Sequence, residues 1–262
     1  MRYLFTPGAL RIILRAKRLF ICLDFDGTLA PIRRLPGDAC LSKRMRDILR
    51  DLSGRRDRRV AIVSGRGLRD IEGKISVPSV IYAADHGFFI KSGRKVFRPF
   101  SSPALRRVMR DFYKKAGLAV KGIRGVVLEN KGITLSVHYR CVPKNRVPDV
   151  KALISGLGEL PGFKDKLDIR QGKMCLEARP RVPWDKGSAV TWLMLRAMKE
   201  DATPFLPVYI GDDATDEDAF KVLRNVGITI RVGNDRLSRA EYYVKNISEV
   251  FDFLKMASRG GR

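Results

Sequence analysis

The stretch LFICLDFDGT (residues 19–28) joins five apolar residues to two carboxylates and a glycine. An apolar run without polar interruptions is typical of a strand buried on both faces of a parallel sheet. Asp24 and Asp26 then stand at the carboxyl end of that strand, where open α/β sheets bind their ligands. Because two neighbouring negative charges are costly to bury, either a cation lies between them or the assignment as a strand is wrong.

Short apolar runs that end in small or acidic residues recur along the chain. They are Val60–Val63, Val80–Ala84, Val208–Ile210 and Ile228–Ile230. Helical patterns lie between several of them, and one apolar stripe is formed by Leu41, Met45, Ile48, Leu49 and Leu52. Strands that alternate with amphipathic helices predict the α/β class, with a Rossmann-like parallel sheet covered on both faces.

The pattern changes between residues 100 and 183, where a helical stretch precedes segments of period two. These segments are VVLE (126–129), ITLSVHYR (133–140), LDIR (167–170) and MCLEAR (174–179). The link Asn130-Lys131-Gly132 has the residue types of a tight turn, which predicts a hairpin. We therefore expect a core formed by residues 1–99 and 184–262, with an inserted α+β domain at 100–183.

Composition and charge limit the function classes. Lys and Arg total 52 against 28 Asp and Glu, a net charge of +24. The basic residues are scattered in short groups, which favours a solvated basic surface over a specific nucleic-acid site. A nucleic-acid-binding protein is the alternative class, and it rests on the charge alone. The chain has no apolar run of the roughly 18 residues that a membrane span needs, so we expect no membrane association.

The four cysteines lie far apart and form no C-x-x-C pair, so neither a zinc site nor a disulfide framework is indicated. Reduced thiols are typical of the cytoplasm, and we expect a cytoplasmic protein. We also expect a monomer that acts on a small molecule.

A second acidic cluster lies at VYIGDDATDEDAF (residues 208–220), again after an apolar run. Carboxylates in the first turn of a helix offset its free N–H groups, which explains Asp216 and Glu217. That explanation does not suit Asp212, which we place at the strand end beside Asp24. Two strand ends that present carboxylates to one crevice predict a hard, oxygen-preferring cation, and Mg²⁺ fits best.

Two further segments complete a predicted phosphate pocket. IVSGR (62–66) places Ser64 directly after a strand, where its hydroxyl and the following amides can bind phosphoryl oxygens. WDKGSA (184–189) places Lys186 at the start of a helix, as a point charge suited to phosphate. Either segment by itself is more often structural than functional.

In order, D-x-D-G-T, S-G-R, D-K-G and G-D-D-x-T-D-E resemble the four motifs of the haloacid-dehalogenase-like (HAD) phosphatases. The resemblance implies a HAD core with an inserted α+β cap and a covalent mechanism. Asp24 would attack phosphorus, and Asp26 would protonate the leaving oxygen and later activate water. Mg²⁺ would be held by Asp24, the backbone carbonyl of Asp26, and Asp212. The resemblance also implies that Ser64 and Lys186 hold the phosphoryl group.

LENKGITLSVHYR (128–140), CLEARPRVPWDKGSAV (175–190) and GDDATDEDAF (211–220) are similar to segments of the trehalose-6-phosphate phosphatases. AADHGFFI (83–90) resembles another turn of that family, from which Asp85 departs. The similarity implies a trehalose 6-phosphate substrate. Phosphatases for sucrose, mannosylglycerate or glucosylglycerate phosphate would share the catalytic set and stay open as alternatives.

The same similarity assigns substrate-binding residues in both parts of the chain. Glu129, Lys131 and Glu177 would bind the distal glucose, with His138 and Arg140 at the rim of the site. Arg66, in the S-G-R segment, is also assigned to substrate binding. From the residues alone, Glu129 and Lys131 flank a turn, where exposed charges are common without any function.

Overall fold

The computed structural model describes residues 1–33, 36–100, 102–172, 174–201 and 203–260. Its strands are β1 (Arg2–Tyr3), β2 (Leu19–Leu23), β3 (Arg58–Val63), β4 (Ile81–Ala84), β5 (Phe89–Ser92), β6 (Lys95–Phe97), β7 (Val127–Asn130), β8 (Leu135–His138), β9 (Leu167–Gly172), β10 (Cys175–Pro180), β11 (Leu206–Gly211), β12 (Ile228–Val232) and β13 (Tyr242–Val244).

Its helices are α1 (Pro7–Arg15), α2 (Lys43–Ser53), α3 (Leu68–Ile75), α4 (Pro103–Ala119), α5 (Val147–Gly158), α6 (Lys186–Glu200), α7 (Asp216–Leu223) and α8 (Ile247–Arg259). Within the described ranges, every helix is too short or too polar to cross a bilayer.

The chain divides into two compact units. Unit 1 comprises Met1–Arg98 and Trp184–Arg262, and unit 2 comprises Pro99–Pro183. Pro99, which we assigned to the core, lies in unit 2. The role of unit 2 as a cap stays a prediction.

Unit 1 is built on a sheet with the strand order β1-β13-β12-β11-β2-β3-β4-β5-β6. The strands from β1 to β4 in that order pair in parallel, and β5 and β6 add to the β4 edge antiparallel. The predicted α/β class with a large parallel sheet is confirmed. Because β2 lies between β11 and β3, the acidic stretch that follows it is at the middle of the sheet.

The composition of β2 follows from its place in the sheet. Alternate residues point to opposite faces, and both faces are covered. Leu19, Ile21 and Leu23 belong to one apolar cluster, whereas Phe20 and Cys22 belong to the cluster on the other face. All five residues are buried, so a polar side chain introduced at any of them would lose its hydrogen bonds to water without gaining a partner in the protein.

Unit 2 is an antiparallel sheet in the order β7-β8-β10-β9, with α4 and α5 packed on one face. The predicted hairpin is present between β7 and β8, where the amide of Lys131 donates to the carbonyl of Thr134 at 3.0 Å. Gly132 in this turn has φ +93°, a conformation that side chains rarely adopt. The face that packs on the helices carries Leu135, Val137, Leu176 and Ala178.

A substitution of Phe112 on α4 measures how much the apolar core of unit 2 contributes to the free energy of unfolding. Its side chain is fully buried and meets the Phe163 ring edge to face, with 5.2 Å between centroids. We expect Phe112→Ala to lower the free energy of unfolding by about 3–5 kcal/mol, since it leaves a cavity. The neighbouring Tyr113 is 37% exposed, and Tyr113→Ala should cost less than about 1 kcal/mol. Urea unfolding followed by circular dichroism measures both, and equal losses would contradict this account of the core.

Candidate active site

The acidic site begins where two neighbouring strands end. β11 and β2 pair in parallel with Ile210 opposite Leu23, so the residues that follow them emerge at the same edge of the sheet. The amide of Asp24 donates to the carbonyl of Ile210 at 2.9 Å, which continues the pairing by one residue. Carboxylate oxygens of Asp24, Asp212 and Asp216 all lie within 4.8 Å of one another.

Two glycines make this approach of carboxylates possible. Gly27 has φ +89°, and a Cβ at that position would lie 2.2 Å from Oδ2 of Asp212. A Cβ at Gly211 would lie 2.3 Å from Cγ of Asp216. Any side chain at either position would therefore displace one of the carboxylates.

Asp216 is the buried centre of the cluster. Its Oδ1 accepts hydrogen bonds from Nζ of Lys186 and from the hydroxyl of Tyr209, both at 2.7 Å. Its Oδ2 accepts from the amides of Asp212 at 2.9 Å and Asp213 at 3.0 Å. Since both oxygens already accept two donors, Asp216 is suited to holding its neighbours in place rather than to binding an ion directly.

Lys186 is the cation at the centre of these acids. Its Nζ lies 2.9 Å from Oδ1 of Asp24 and 3.9 Å from Oδ1 of Asp213, in addition to its contact with Asp216. Burial lowers the pKa of Lys186, but the carboxylates of Asp216 and Asp24 outweigh it and raise that pKa well above its ordinary value. The side chain is therefore a permanent positive charge in this site.

Burial raises the pKa of Asp24 well above its ordinary value. The charge of Lys186 opposes this shift, and the neighbouring carboxylates add to it. Burial also raises the pKa of Asp213, but Lys186 and the hydrogen bonds of Thr215 outweigh it and leave that pKa below its usual range. The carboxyl groups gathered here thus outnumber the ammonium group of Lys186.

The residues present fit a magnesium ion. Their donor set consists of carboxylate oxygens, which Mg²⁺ prefers over nitrogen or sulfur ligands. Each oxygen of Asp216 already accepts two hydrogen bonds. Asp24 and Asp212 are therefore the members of the set better suited to bind the ion directly. A second positive charge would also offset the excess of carboxylates around Lys186.

α6 begins at Lys186 for a local reason. The side chain of Asp185 accepts a hydrogen bond from the amide of Ser188 at 2.7 Å, which caps the helix. A Cβ at Gly187 would lie 2.5 Å from the carbonyl oxygen of Asp218, so α6 and α7 approach closely at this point. The D-K-G segment therefore places the ammonium group and fixes the helix that carries it.

Ser64 follows β3 and is buried, and its Oγ accepts a hydrogen bond from the amide of Arg66 at 3.2 Å. The carbonyl of Ser64 accepts from the amide of His86 at 2.9 Å. Asp85 and His86 both have left-handed backbone conformations, with φ +51° and +56°. Strain of this kind in non-glycine residues is typical of functional sites, and the sequence gives no signal of it.

Arg66 contacts two carboxylates of unit 1. Its Nε and Nη2 donate to the two carboxylate oxygens of Asp26 at 2.6 and 2.7 Å. Its Nη1 donates to Asp70 at 2.6 Å. The structure therefore brings Arg66 together with the residue predicted as the proton donor, and its role toward substrate stays a prediction.

In unit 2, the predicted sugar-binding residues share the sheet face away from the helices. Glu129 on β7, Ser136 on β8 and Glu177 on β10 stand opposite one another in one row of the sheet. Nζ of Lys131 lies 2.8 Å from Oγ of Ser136 and 3.7 Å from Oε1 of Glu177. Lys131, Ser136 and Glu177 thus form a polar network, and Glu129 stands beside it in the same row.

The remaining residues of this face extend the network. Nε2 of His138 lies 2.8 Å from Oε2 of Glu129. Arg179 is buried and binds the carboxylate of Glu177 through two of its nitrogens. Arg140 follows the end of β8 and is half-buried.

Sequence reasoning missed Tyr209, Asp70, Ser136 and Arg179. For Ser136 and Arg179 a signal exists, since period two places them on the same sheet face as the residues two positions away. Tyr209 sits in an apolar strand, where its hydroxyl gives no sign of its partner.

Comparisons with known proteins find similar sequences and a similar fold. A family model described as trehalose-phosphatase matches residues 22–248. Trehalose-phosphate phosphatase B of Arabidopsis thaliana is 34% identical over 260 residues, which cover 92% of this chain and 66% of that protein. The probable trehalose-phosphate phosphatase E of the same plant is 36% identical over 252 residues, covering 91% of this chain and 70% of that protein.

Among solved structures, the C-terminal domain of trehalose-6-phosphate phosphatase from C. albicans superposes with a TM-score of 0.81 at 23% identity, and 98% of each chain is covered. At this identity the likeness shows the fold. The chain spans about two thirds of the length of the Arabidopsis relatives.

The hydroxyl of Tyr209 offers a test of the buried cluster. Burial and the carboxylates of Asp216 and Asp24 raise the pKa of Tyr209 well above its ordinary value, so the hydroxyl stays a donor. Tyr209→Phe removes one donor from a buried carboxylate, and we expect the free energy of unfolding to fall by about 1.5–3 kcal/mol. Tyr82→Phe is the matched control, because Tyr82 is buried and donates to the neutral carbonyl of Val77 at 3.0 Å. It should cost about 1 kcal/mol. Equal losses in urea unfolding would show that the charge of Asp216 adds nothing.

Proposed function

Because the chain belongs to the trehalose-phosphatase family, we propose that it hydrolyses trehalose 6-phosphate to trehalose and phosphate. The trehalose-6-phosphate phosphatase family, predicted from segments 128–140, 175–190 and 211–220, is confirmed. The observation that carries the proposal is the convergence of Asp24, Asp212 and Lys186, from three separate segments, at one edge of the sheet.

The first step forms a covalent intermediate. A carboxylate oxygen of Asp24 attacks phosphorus, and the bond between phosphorus and the sugar oxygen breaks. Asp26 gives its proton to that oxygen, so trehalose leaves as a neutral alcohol and Asp24 carries the phosphoryl group. The contact between Lys186 and Asp24 supports this step, because the ammonium group is placed to offset the charge of the incoming phosphate.

The second step restores the enzyme. Asp26, now ionised, takes a proton from a water molecule that attacks phosphorus, and the bond between phosphorus and Asp24 breaks. Phosphate leaves, and Asp24 is again a carboxylate while Asp26 is again protonated. Ser64 and Lys186 hold the phosphoryl oxygens in both steps.

Mg²⁺ would be held by Asp24, the backbone carbonyl of Asp26, and Asp212. When bound, it supplies positive charge that offsets the repulsion between an anionic nucleophile and an anionic substrate. Asp216 supports this site from behind, since its hydrogen bonds to the amides of Asp212 and Asp213 fix the turn that presents Asp212.

The sugar is bound by the polar face of unit 2. Carboxylates and a lysine can bracket vicinal hydroxyl groups, and Glu129, Lys131 and Glu177 provide that chemistry. Sucrose, mannosylglycerate and glucosylglycerate phosphates carry similar hydroxyl groups and are the alternative substrates. A phosphate-release panel over these esters with purified protein and Mg²⁺ ranks them directly.

Removal of the nucleophile or the metal tests the chemistry. We expect Asp24→Asn to reduce phosphate release from trehalose 6-phosphate by at least about 10³-fold, because the amide is not a nucleophile. EDTA should abolish the wild-type rate, and excess Mg²⁺ should restore it. Asp38→Asn, in a turn outside the site, is the control and should keep the full rate. Activity that survives in Asp24→Asn would exclude the covalent mechanism.

The sugar-binding residues are tested by comparing two substrates. Glu129→Ala and Glu177→Ala should each raise KM for trehalose 6-phosphate by roughly 10-fold or more, since a hydrogen bond to a charged group contributes about 1.5–3 kcal/mol. Hydrolysis of a small generic phosphate ester should stay unchanged. Asp168→Asn, on β9 and paired with Arg181, is a control on the same sheet. Equal losses on both esters would exclude these two residues from sugar binding.

A further inference from the structure

We infer that Arg66 and Asp70 are positioning residues that hold the carboxyl group of Asp26 in place for proton transfer. The inference rests on the proposed function, in which Asp26 is the proton donor. It changes the expected role of Arg66 and gives a role to Asp70, which no motif had indicated.

The contact between Arg66 and Asp26 is bidentate. Nε and Nη2 of the guanidinium each reach a different oxygen of the carboxylate, at 2.6 and 2.7 Å. Two parallel hydrogen bonds between planar groups fix both the position and the plane of the carboxylate, which a single contact does not do. The side chain of Asp26 is 36% exposed, so packing by itself would leave its rotamer free.

Arg66 is itself held from behind. Its third nitrogen, Nη1, donates at 2.6 Å to Oδ2 of Asp70, which lies four residues further along the chain. The guanidinium carbon also lies 5.2 Å from the centroid of the Phe25 ring. In the sequence, Phe25 stands between the two predicted catalytic aspartates. The side chain of Arg66 is only 10% exposed, and it therefore has little freedom to move as a unit.

Through Lys74, Asp70 connects the pair of Arg66 and Asp26 to two backbone carbonyl groups of another segment. Nζ of Lys74 lies 3.7 Å from Oδ1 of Asp70 and donates to the carbonyls of Gly37 and Ala39, both at 2.9 Å. A continuous series of contacts thus runs from Asp26 through Arg66, Asp70 and Lys74 to a segment that follows the D-x-D-G-T motif. Asp70 is the member of this series that contacts Arg66 directly without contacting Asp26.

The position of a proton donor matters most when the leaving group is poor. A sugar alkoxide needs a proton as it leaves, whereas a nitrophenolate leaves without one. Misplacement of Asp26 should therefore slow the first step much more for alkyl phosphates than for aryl phosphates, whereas the second step, in which Asp26 acts as the base, is the same for both esters. A defect in folding, in metal binding or in the nucleophile would slow both to the same extent.

The experiment compares trehalose 6-phosphate with 4-nitrophenyl phosphate in Arg66→Lys and Asp70→Asn. We expect kcat/KM, which reports the steps up to departure of the alcohol, to fall about 10²-fold for the sugar ester in Arg66→Lys and about 10-fold in Asp70→Asn. The value of kcat/KM for the aryl ester should change less than about 3-fold, and KM for the sugar ester should stay near that of the wild type. Asp70→Glu, which keeps the carboxylate, should recover part of the loss.

Asp47→Asn is the matched control, because Asp47 pairs with Arg50 on its own helix at 2.9 Å and lies outside the site. It should leave both rates unchanged. Equal losses on the two esters would overturn the inference, and a raised KM with unchanged kcat would return Arg66 to substrate binding. If the wild type does not hydrolyse trehalose 6-phosphate, the proposed function fails. The comparison then uses whichever alkyl phosphate the wild type does hydrolyse, so the two failures remain distinct.

Discussion

The free-energy cost of gathering carboxylates at one buried strand edge is the constraint on which the site depends. Asp24 and Asp216 have lost almost all contact with water, and Lys186 offsets part of their charge through contacts of 2.9 and 2.7 Å. Buried charges are tolerated when they are paired and hydrogen-bonded, and this cluster meets both conditions through side chains and backbone amides. The carboxylates that Lys186 does not offset would be balanced by a bound cation, as the proposed function requires.

Other features of unit 1 are needed for Lys186 to contact the carboxylates of Asp24 and Asp216. β2 and β11 must be neighbours for the two acidic segments to meet, and Gly27 and Gly211 must lack side chains for the carboxylates to fit. α6 must begin at Lys186, which the cap by Asp185 ensures. A change that alters any of these features would leave a charge without its partner, and such losses are larger than the loss of an exposed ion pair.

The sequence predicts the central strands well because burial on both faces leaves an uninterrupted apolar run. β2, β3, β4, β11 and β12 all carry that pattern, and all were found. The outer strands β1 and β6 could not be predicted in this way. They have two and three residues, and β6 is exposed throughout, so no apolar periodicity marks them.

For the site, the motifs indicated Asp24, Lys186 and Asp212, which the structure brings together, because each follows a recognisable strand or precedes a helix. Their partners depend on packing between distant segments. Tyr209 looks like one more apolar strand residue until the position of Asp216 is known, and nothing in the S-G-R segment indicates that the side chain of Arg66 reaches Asp26. Local pattern gives the place of a side chain along the chain, but the direction in which it reaches is decided by its tertiary neighbours.

The pairing of Leu23 with Ile210 also bears on how the polypeptide is made. β2 is synthesised before unit 2 and β11 after it, so all strands of unit 2 lie between these two pairing partners in the chain. Unit 2 has every one of its pairing partners within one contiguous segment, so it can fold while β2 still has an open edge. During translation, the acidic cluster can therefore be completed only after the whole inserted unit has been synthesised.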